Sequence, residues 1–239
     1  MRSSHALTVA LMEPFPTREQ LLEAVPATKL LAEVATEVVA SKRAREADDA
    51  ISALLAAERD GTLSEAEVVT LTSMLFTAGH QTTYSAIGLA VLALLRHRSQ
   101  WELLCDDPSL VVDAVEECLR YDNTIQLGWR TTPHEHEIHG IVIPAGVHLV
   151  VWNGSANRDP ERWGQSADRL DIRREGAQGH LSFGAGPHLC LGAWLARIEI
   201  QSVVAHLVRH HREVELANEP EWRRLLSLRG PERLDLRLP

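Results

Sequence analysis

The run Val68–Leu95 spans 28 residues without one Asp, Glu, Lys or Arg. A stretch of that length and composition can sit in two places, across a bilayer or through the middle of a globular domain. Its centre separates the two. Thr77-Ala78-Gly79-His80-Gln81-Thr82-Thr83 would set several polar groups at mid-depth of a membrane, where they are costly. The run therefore reads as a long helix buried within a soluble protein, about 40 Å from end to end at ~1.5 Å per residue. Ser64-Glu65-Ala66-Glu67 offers a capping box at its start. The apolar segment 6–12 runs into Glu13-Pro14-Phe15-Pro16 with no small-residue cleavage site, which excludes a signal peptide.

Around this helix the chain of 239 residues reads as mainly α with a smaller β part. Residues 1–16 hold two prolines and no clear period, and read as a loop or a cut element. Thr17-x-x-Gln20 fits a capping box, Lys29–Arg45 has helical periodicity, and Asp49–Glu58 fits a short amphipathic helix stopped at Asp60-Gly61. Lys42-Arg43-Ala44-Arg45-Glu46 reads as a solvated charged run. Pro108 opens a helix to about Tyr121. Ile138–Val151 suggests a hairpin turning at Pro144-Ala145-Gly146, and residues 225–238 suggest two strands around Arg229-Gly230-Pro231. Lys plus Arg total 24 and Asp plus Glu total 33, a formal charge of −9, which argues against nucleic-acid binding. The three cysteines, Cys105, Cys118 and Cys190, form neither a disulfide framework nor a C-x-x-C pair, and fit a reducing cytoplasm.

Cys190 stands apart. In Ser182-Phe183-Gly184-Ala185-Gly186-Pro187-His188-Leu189-Cys190-Leu191-Gly192, two glycines and a proline constrain a loop that leads straight into a helix. A cysteine there sees the positive end of the macrodipole and unpaired N–H groups, both favouring thiolate. Gly192 lets a flat, bulky group approach the backbone. One soft anionic ligand on a rigid loop suits an axial bond to haem iron. The same facts also fit a small packed core residue, and loop physics alone leaves both open. A nucleotide loop fits less well, because the third glycine of G-x-G-x-x-G is replaced by Leu189.

Phe183-Gly184-x-Gly186-x-His188-x-Cys190-x-Gly192 resembles the haem-binding signature of the cytochrome P450 family, soluble bacterial type. The resemblance runs from about Leu11 to the end. It implies the C-terminal portion of that fold, with residues 1–239 forming a single domain truncated at its N-terminus. It also implies heme b with Cys190 as axial thiolate, the loop residues Phe183, Gly184, Gly186, His188 and Gly192 around it, and Arg130 with His188 on the haem carboxylates. His180 is a weaker candidate for the same carboxylates. The family's distal-helix motif corresponds to Ala78-Gly79-His80-Gln81-Thr82-Thr83. Ala78 and Gly79 then leave room for dioxygen and substrate, and Thr82 assists proton delivery. Gln81 departs from the usual acid, and an amide orients water without shuttling a proton near neutral pH. Glu117-x-x-Arg120 matches the family's buried pair, with Arg169 assigned as the second arginine.

The activity implied is a monooxygenase that inserts one oxygen atom of dioxygen into a small organic substrate. Its electrons come from a separate ferredoxin-type donor, and Arg197 is a basic residue that could face that donor. A missing N-terminal half would complete the fold, and without it one side of Val68–Leu95 would meet water. A non-catalytic fragment that binds haem weakly or not at all is the alternative. Peroxide-driven chemistry is a third reading, against which Thr82 counts. His134-Glu135-His136 with His139 fits an exposed strand and turn better than a metal site.

Overall fold

The computed structural model describes residues 2–45 and 47–238, with side chains from Ala6 onward; Glu46, the end of the charged run, lies outside the described residues. The chain divides into two units, Met1–Gln81 and Thr82–Pro239, and the division falls inside one helix.

The first unit opens with helix α1, Arg2–Met12, where the sequence suggested a loop or a cut element. The breakers Pro14 and Pro16 lie beyond its end, so the apolar segment is free to coil. Helix α2 runs over Arg18–Ala44 and starts well before the periodic segment. Its start is set by a reciprocal cap. The Gln20 amide donates to Thr17 Oγ1 at 3.2 Å, and the Thr17 amide donates to Gln20 Oε1 at 2.7 Å. Pro26 lies inside α2. Helix α3, Ala50–Arg59, is capped by Asp49, whose carboxylate accepts from the Ser52 amide at 2.9 Å, and the chain turns away at Gly61 with φ 81°. Helix α4, Glu65–Arg96, is 32 residues long, about 48 Å. Ser64 and Glu67 cap each other at its start. Val39, Leu55 and Val68 form the core of this unit. Met74 and Phe76 on α4 remain about half exposed. Among the described residues no helix is long and apolar enough to cross a membrane.

In the second unit, the last turns of α4 pack with α5 (Arg98–Asp106), α6 (Val111–Tyr121) and a later helix around a core that includes Leu94, Trp101, Val115 and Ile200. Strand β1 (Gly128–Thr131) pairs with β4 (His148–Val151), and β2 (His136–Ile138) with β3 (Ile141–Ile143), both antiparallel. The expected hairpin at Pro144-Ala145-Gly146 does not form. Instead the chain reverses at His139-Gly140, where φ is 51° and 78°, the two positive values a tight two-residue hairpin turn requires. Pro144–Gly146 merely carries the chain from one two-stranded sheet to the other.

Two short helices, α7 (Asn153–Ala156) and α8 (Pro160–Trp163), precede the cysteine loop, and α9 (Ala193–His210) follows it. The tail forms β5 (Glu215–Leu216) with β8 (Leu236–Arg237), and β6 (Glu221–Trp222) with β7 (Pro231–Arg233). Residues 225–228 are not a strand, as the sequence had suggested; Leu228 makes a single bridge to Ile125. The tail approaches α4 so closely that a Cβ on Gly230 would lie 2.5 Å from Ser85 Cβ.

Candidate functional site

The cysteine loop is held at its entry by the Asn157 side chain and by the Leu119 carbonyl. The Leu181 amide donates to Asn157 Oδ1 at 2.7 Å, Asn157 Nδ2 donates to Ser182 Oγ at 2.9 Å, and Ser182 Oγ donates to the Leu119 carbonyl at 2.7 Å. Gly184 and Gly186 then take φ of 74° and 72°, left-handed values that a side chain would strain. Gly186–His188 forms one 3-10 turn. The loop closes where the Cys190 amide donates to the Phe183 carbonyl at 2.9 Å. The Cys190 carbonyl accepts from Ala193 at the first residue of α9, with Gly192 at the N-cap. Cys190 is a free, exposed cysteine.

These residues suit haem. The thiol is open, and Leu189 and Leu191 beside it are 58% and 84% exposed, an apolar surface next to a soft ligand. A Cβ at Gly192 would come 4.0 Å from Cys190 Sγ, so glycine keeps the sulfur's surroundings clear. Arg130 is exposed on β1, and its guanidinium donates to the carbonyl of its own neighbour, Trp129, leaving donors for an anionic group. His188 is exposed in the 3-10 turn.

Behind the loop lies a buried charge network on α6. All five guanidinium N–H groups of Arg120 are used. Two go to the Glu117 carboxylate at 2.7 and 2.8 Å, and three to the carbonyls of Asn157, Ala167 and Arg169 at 2.6, 2.9 and 3.1 Å. The second arginine is Arg174 and not Arg169. Arg174 Nε lies 3.1 Å from both Glu117 oxygens, and its remaining donors reach Trp163, Ser166 and Arg169. Arg169 is exposed and contributes only its carbonyl. In an irregular segment, sequence spacing does not tell which of several arginines turns inward; here the inward one lies past Asp171, whose amide also donates to Glu117.

The neighbouring Glu116 was not singled out by sequence, where it reads as one more helical acid. It is buried, and Arg197 from α9 grips it with two bonds of 2.6 and 3.0 Å. His180 Nε2 stands 3.4 Å from Glu116 Oε2, near enough to pair but poorly aligned for a full hydrogen bond. His180 Nδ1 accepts from the Ser182 amide, so the neutral ring carries its proton on Nε2, toward Glu116. Burial opposes ionisation of Glu116, yet His180 and Arg197 together hold its carboxyl down at about 2. This placement overturns two expectations. Arg197 turns inward instead of presenting itself to a donor protein, and His180 is buried against a carboxylate instead of being open to a haem carboxylate.

On α4, Ala78 and Gly79 are exposed, and a Cβ at Gly79 would meet no heavy atom within 4 Å. Gln81 is 4% exposed, Thr82 is half-buried, and α4 is continuous through them. Ala78, Gly79 and Gln81 belong to the first unit, Thr82 and the cysteine loop to the second. Cys118 is fully buried with its thiol pushed up by desolvation, and burial also raises Cys105. Among the described residues no His, Cys, Asp and Glu cluster is placed to hold a metal ion, the His134–His139 group included.

The family model for cytochrome P450 matches residues 5–104 and 109–228. Cytochrome P450 107B1 of Saccharopolyspora erythraea is 41% identical over 216 residues, which cover 88% of this chain and 53% of that protein. The vitamin D(3) 25-hydroxylase of Pseudonocardia autotrophica is 40% identical over 205 residues, covering 83% and 50%. Among solved structures, CalO2 superposes with a TM-score of 0.91 at 32% identity, over 100% of this chain and 60% of that one. The chain thus spans about half the length of these relatives and presents a partial version of their fold.

Proposed function

The chain belongs to the cytochrome P450 family, and on that premise we propose that it is part of a haem-thiolate monooxygenase, with heme b held through Cys190. The observation that carries the reading is the open thiol of Cys190 on a loop closed by its own amide and flanked by exposed leucines. When bound, haem supplies oxygen activation, with thiolate donation favouring O–O cleavage. The chain's residues do the rest. Cys190 anchors the iron, and the Phe183, Gly184, Gly186 and Gly192 framework keeps its sulfur accessible. Arg130 and His188 receive the haem carboxylates. Ala78 and Gly79 leave room beside the reacting face, Thr82 offers a hydroxyl for proton delivery, and Gln81 orients water. Glu117, Arg120 and Arg174 fix the segment behind the loop.

The substrate in this reading is a small organic molecule, and the electrons come from a separate ferredoxin-type protein. Residues 1–239 form part of one domain in this reading, and the chain covers about half the length of its relatives. A fragment without catalysis is the alternative, and half-exposed Met74 and Phe76 on α4 are what favour it. Titration of the chain with haem tests the proposal. The wild type is predicted to take up haem with a thiolate-type spectrum that Cys190→Ser loses. Equal uptake and equal spectra for both would overturn the assignment of Cys190.

A further inference from the structure

We infer that Glu116 is a positioning residue for the cysteine loop, clamping its entry through His180 and its exit through Arg197. The inference rests on the reading that Cys190 is the haem ligand. Neighbouring residues on a helix point about 100° apart, so Glu116 and Glu117 serve different segments. Glu117 faces the irregular segment before the loop, and Glu116 faces His180 and Arg197, which flank the loop.

A plain α6–α9 ion pair would need only Glu116 and Arg197. Two further contacts make it a clamp. The Arg197 guanidinium, fixed by the carboxylate, lies 4.5 Å from the centre of the Phe183 ring, and the Phe183 carbonyl is the acceptor for the Cys190 amide. The His180 ring, turned toward Glu116, holds the Ser182 amide on its other nitrogen at 3.1 Å. One carboxylate thus ties the segment that enters the loop, through His180, to the helix that leaves it, through Arg197, and the same guanidinium covers the Phe183 ring. Without it, Arg197 and His180 lose their common partner, and Phe183 loses the cation held over it.

Amide hydrogen exchange on the haem-free chain tests the clamp, beside the reduced, carbon-monoxide-bound spectrum of the haem-loaded chain. In Glu116→Ala the amides of residues 181–190 should exchange on the order of tenfold faster, while those of residues 117–121 on α6 hold. Glu116→Gln, which keeps one acceptor for Arg197, should show a smaller effect. Arg197→Lys keeps the charge but loses the fork, and should resemble Glu116→Gln. With haem, Glu116→Ala should lose more of the thiolate-type band than Glu116→Gln. Unchanged exchange in the loop, or equal acceleration in loop and helix for both Glu116 variants, would overturn the clamp. A wild-type chain that takes up no haem would instead sink the functional reading, and the exchange result would still decide whether Glu116 restrains the loop.

Discussion

Glu116 and Glu117 are adjacent acids on one helix, both buried, and each is matched by arginine. Burying a charge is tolerable only when its partners stay in place, and removing one partner typically costs about 3–5 kcal/mol. Arg174→Ala should therefore destabilise the second unit by an amount of that order. Arg169→Ala, at an exposed side chain, should stay within about 0.5 kcal/mol. Chemical denaturation of the two variants separates the assignments, and the reverse ranking would contradict them. The depressed carboxyl of Glu116 carries a sign. Its stabilisation is present above the ordinary value of 4.5 and is lost as the pH falls toward about 2. Denaturation midpoints across that window should fall more steeply for the wild type than for Glu116→Gln; parallel profiles would contradict the pairing. Gln81→Glu restores a proton-exchanging group beside Thr82, and should raise the ratio of product formed to oxygen consumed in an active form of the enzyme. No rise would remove Gln81 from the proton path. At this scale the sequence shows which residue types are unusual, such as an arginine-rich segment or a cysteine after two glycines. It does not show which of Arg169 and Arg174 points inward, because no periodicity governs an irregular chain.

Helices were the legible elements, because caps and apolar periods are local signals. Ser64 with Glu67, Thr17 with Gln20, and Asp49 all mark starts that the structure realises. Strand pairing was less legible. Ile141–Ile143 and His148–Val151 are strands, but their partners lie on the far side of His139-Gly140 and back at Gly128–Thr131. A proline-glycine turn between two strands says nothing of which sheet each joins. Elements also approach closely at Gly88 of α4, where a Cβ would meet Pro231 Cγ of β7 at 2.7 Å. Alanine is the better helix former by about 1 kcal/mol, so propensity alone favours Gly88→Ala. Overpacking of this kind typically costs about 1–3 kcal/mol, and the substitution should be net destabilising. Pro231→Ala should relieve much of the penalty in the double variant. A thermal melt in which Gly88→Ala is stabilising, or in which the two effects simply add, would contradict this packing.

At the scale of the whole molecule, family and fold were legible because the loop's residues resemble a known signature; the loop's physics alone left a haem ligand and a packed core cysteine both open. What the chain does was not legible to the same depth. The residues proposed for the reacting face lie in two units, and the chain covers about half the length of its relatives. The proposed function turns on Cys190 binding haem iron as a thiolate. The most direct test is the absorption spectrum of the haem-loaded chain, reduced and bound to carbon monoxide. Thiolate ligation by Cys190 should give a Soret band at about 450 nm, the signature implied by the family resemblance. A thiol- or imidazole-like band at shorter wavelength, or no haem uptake, would contradict it.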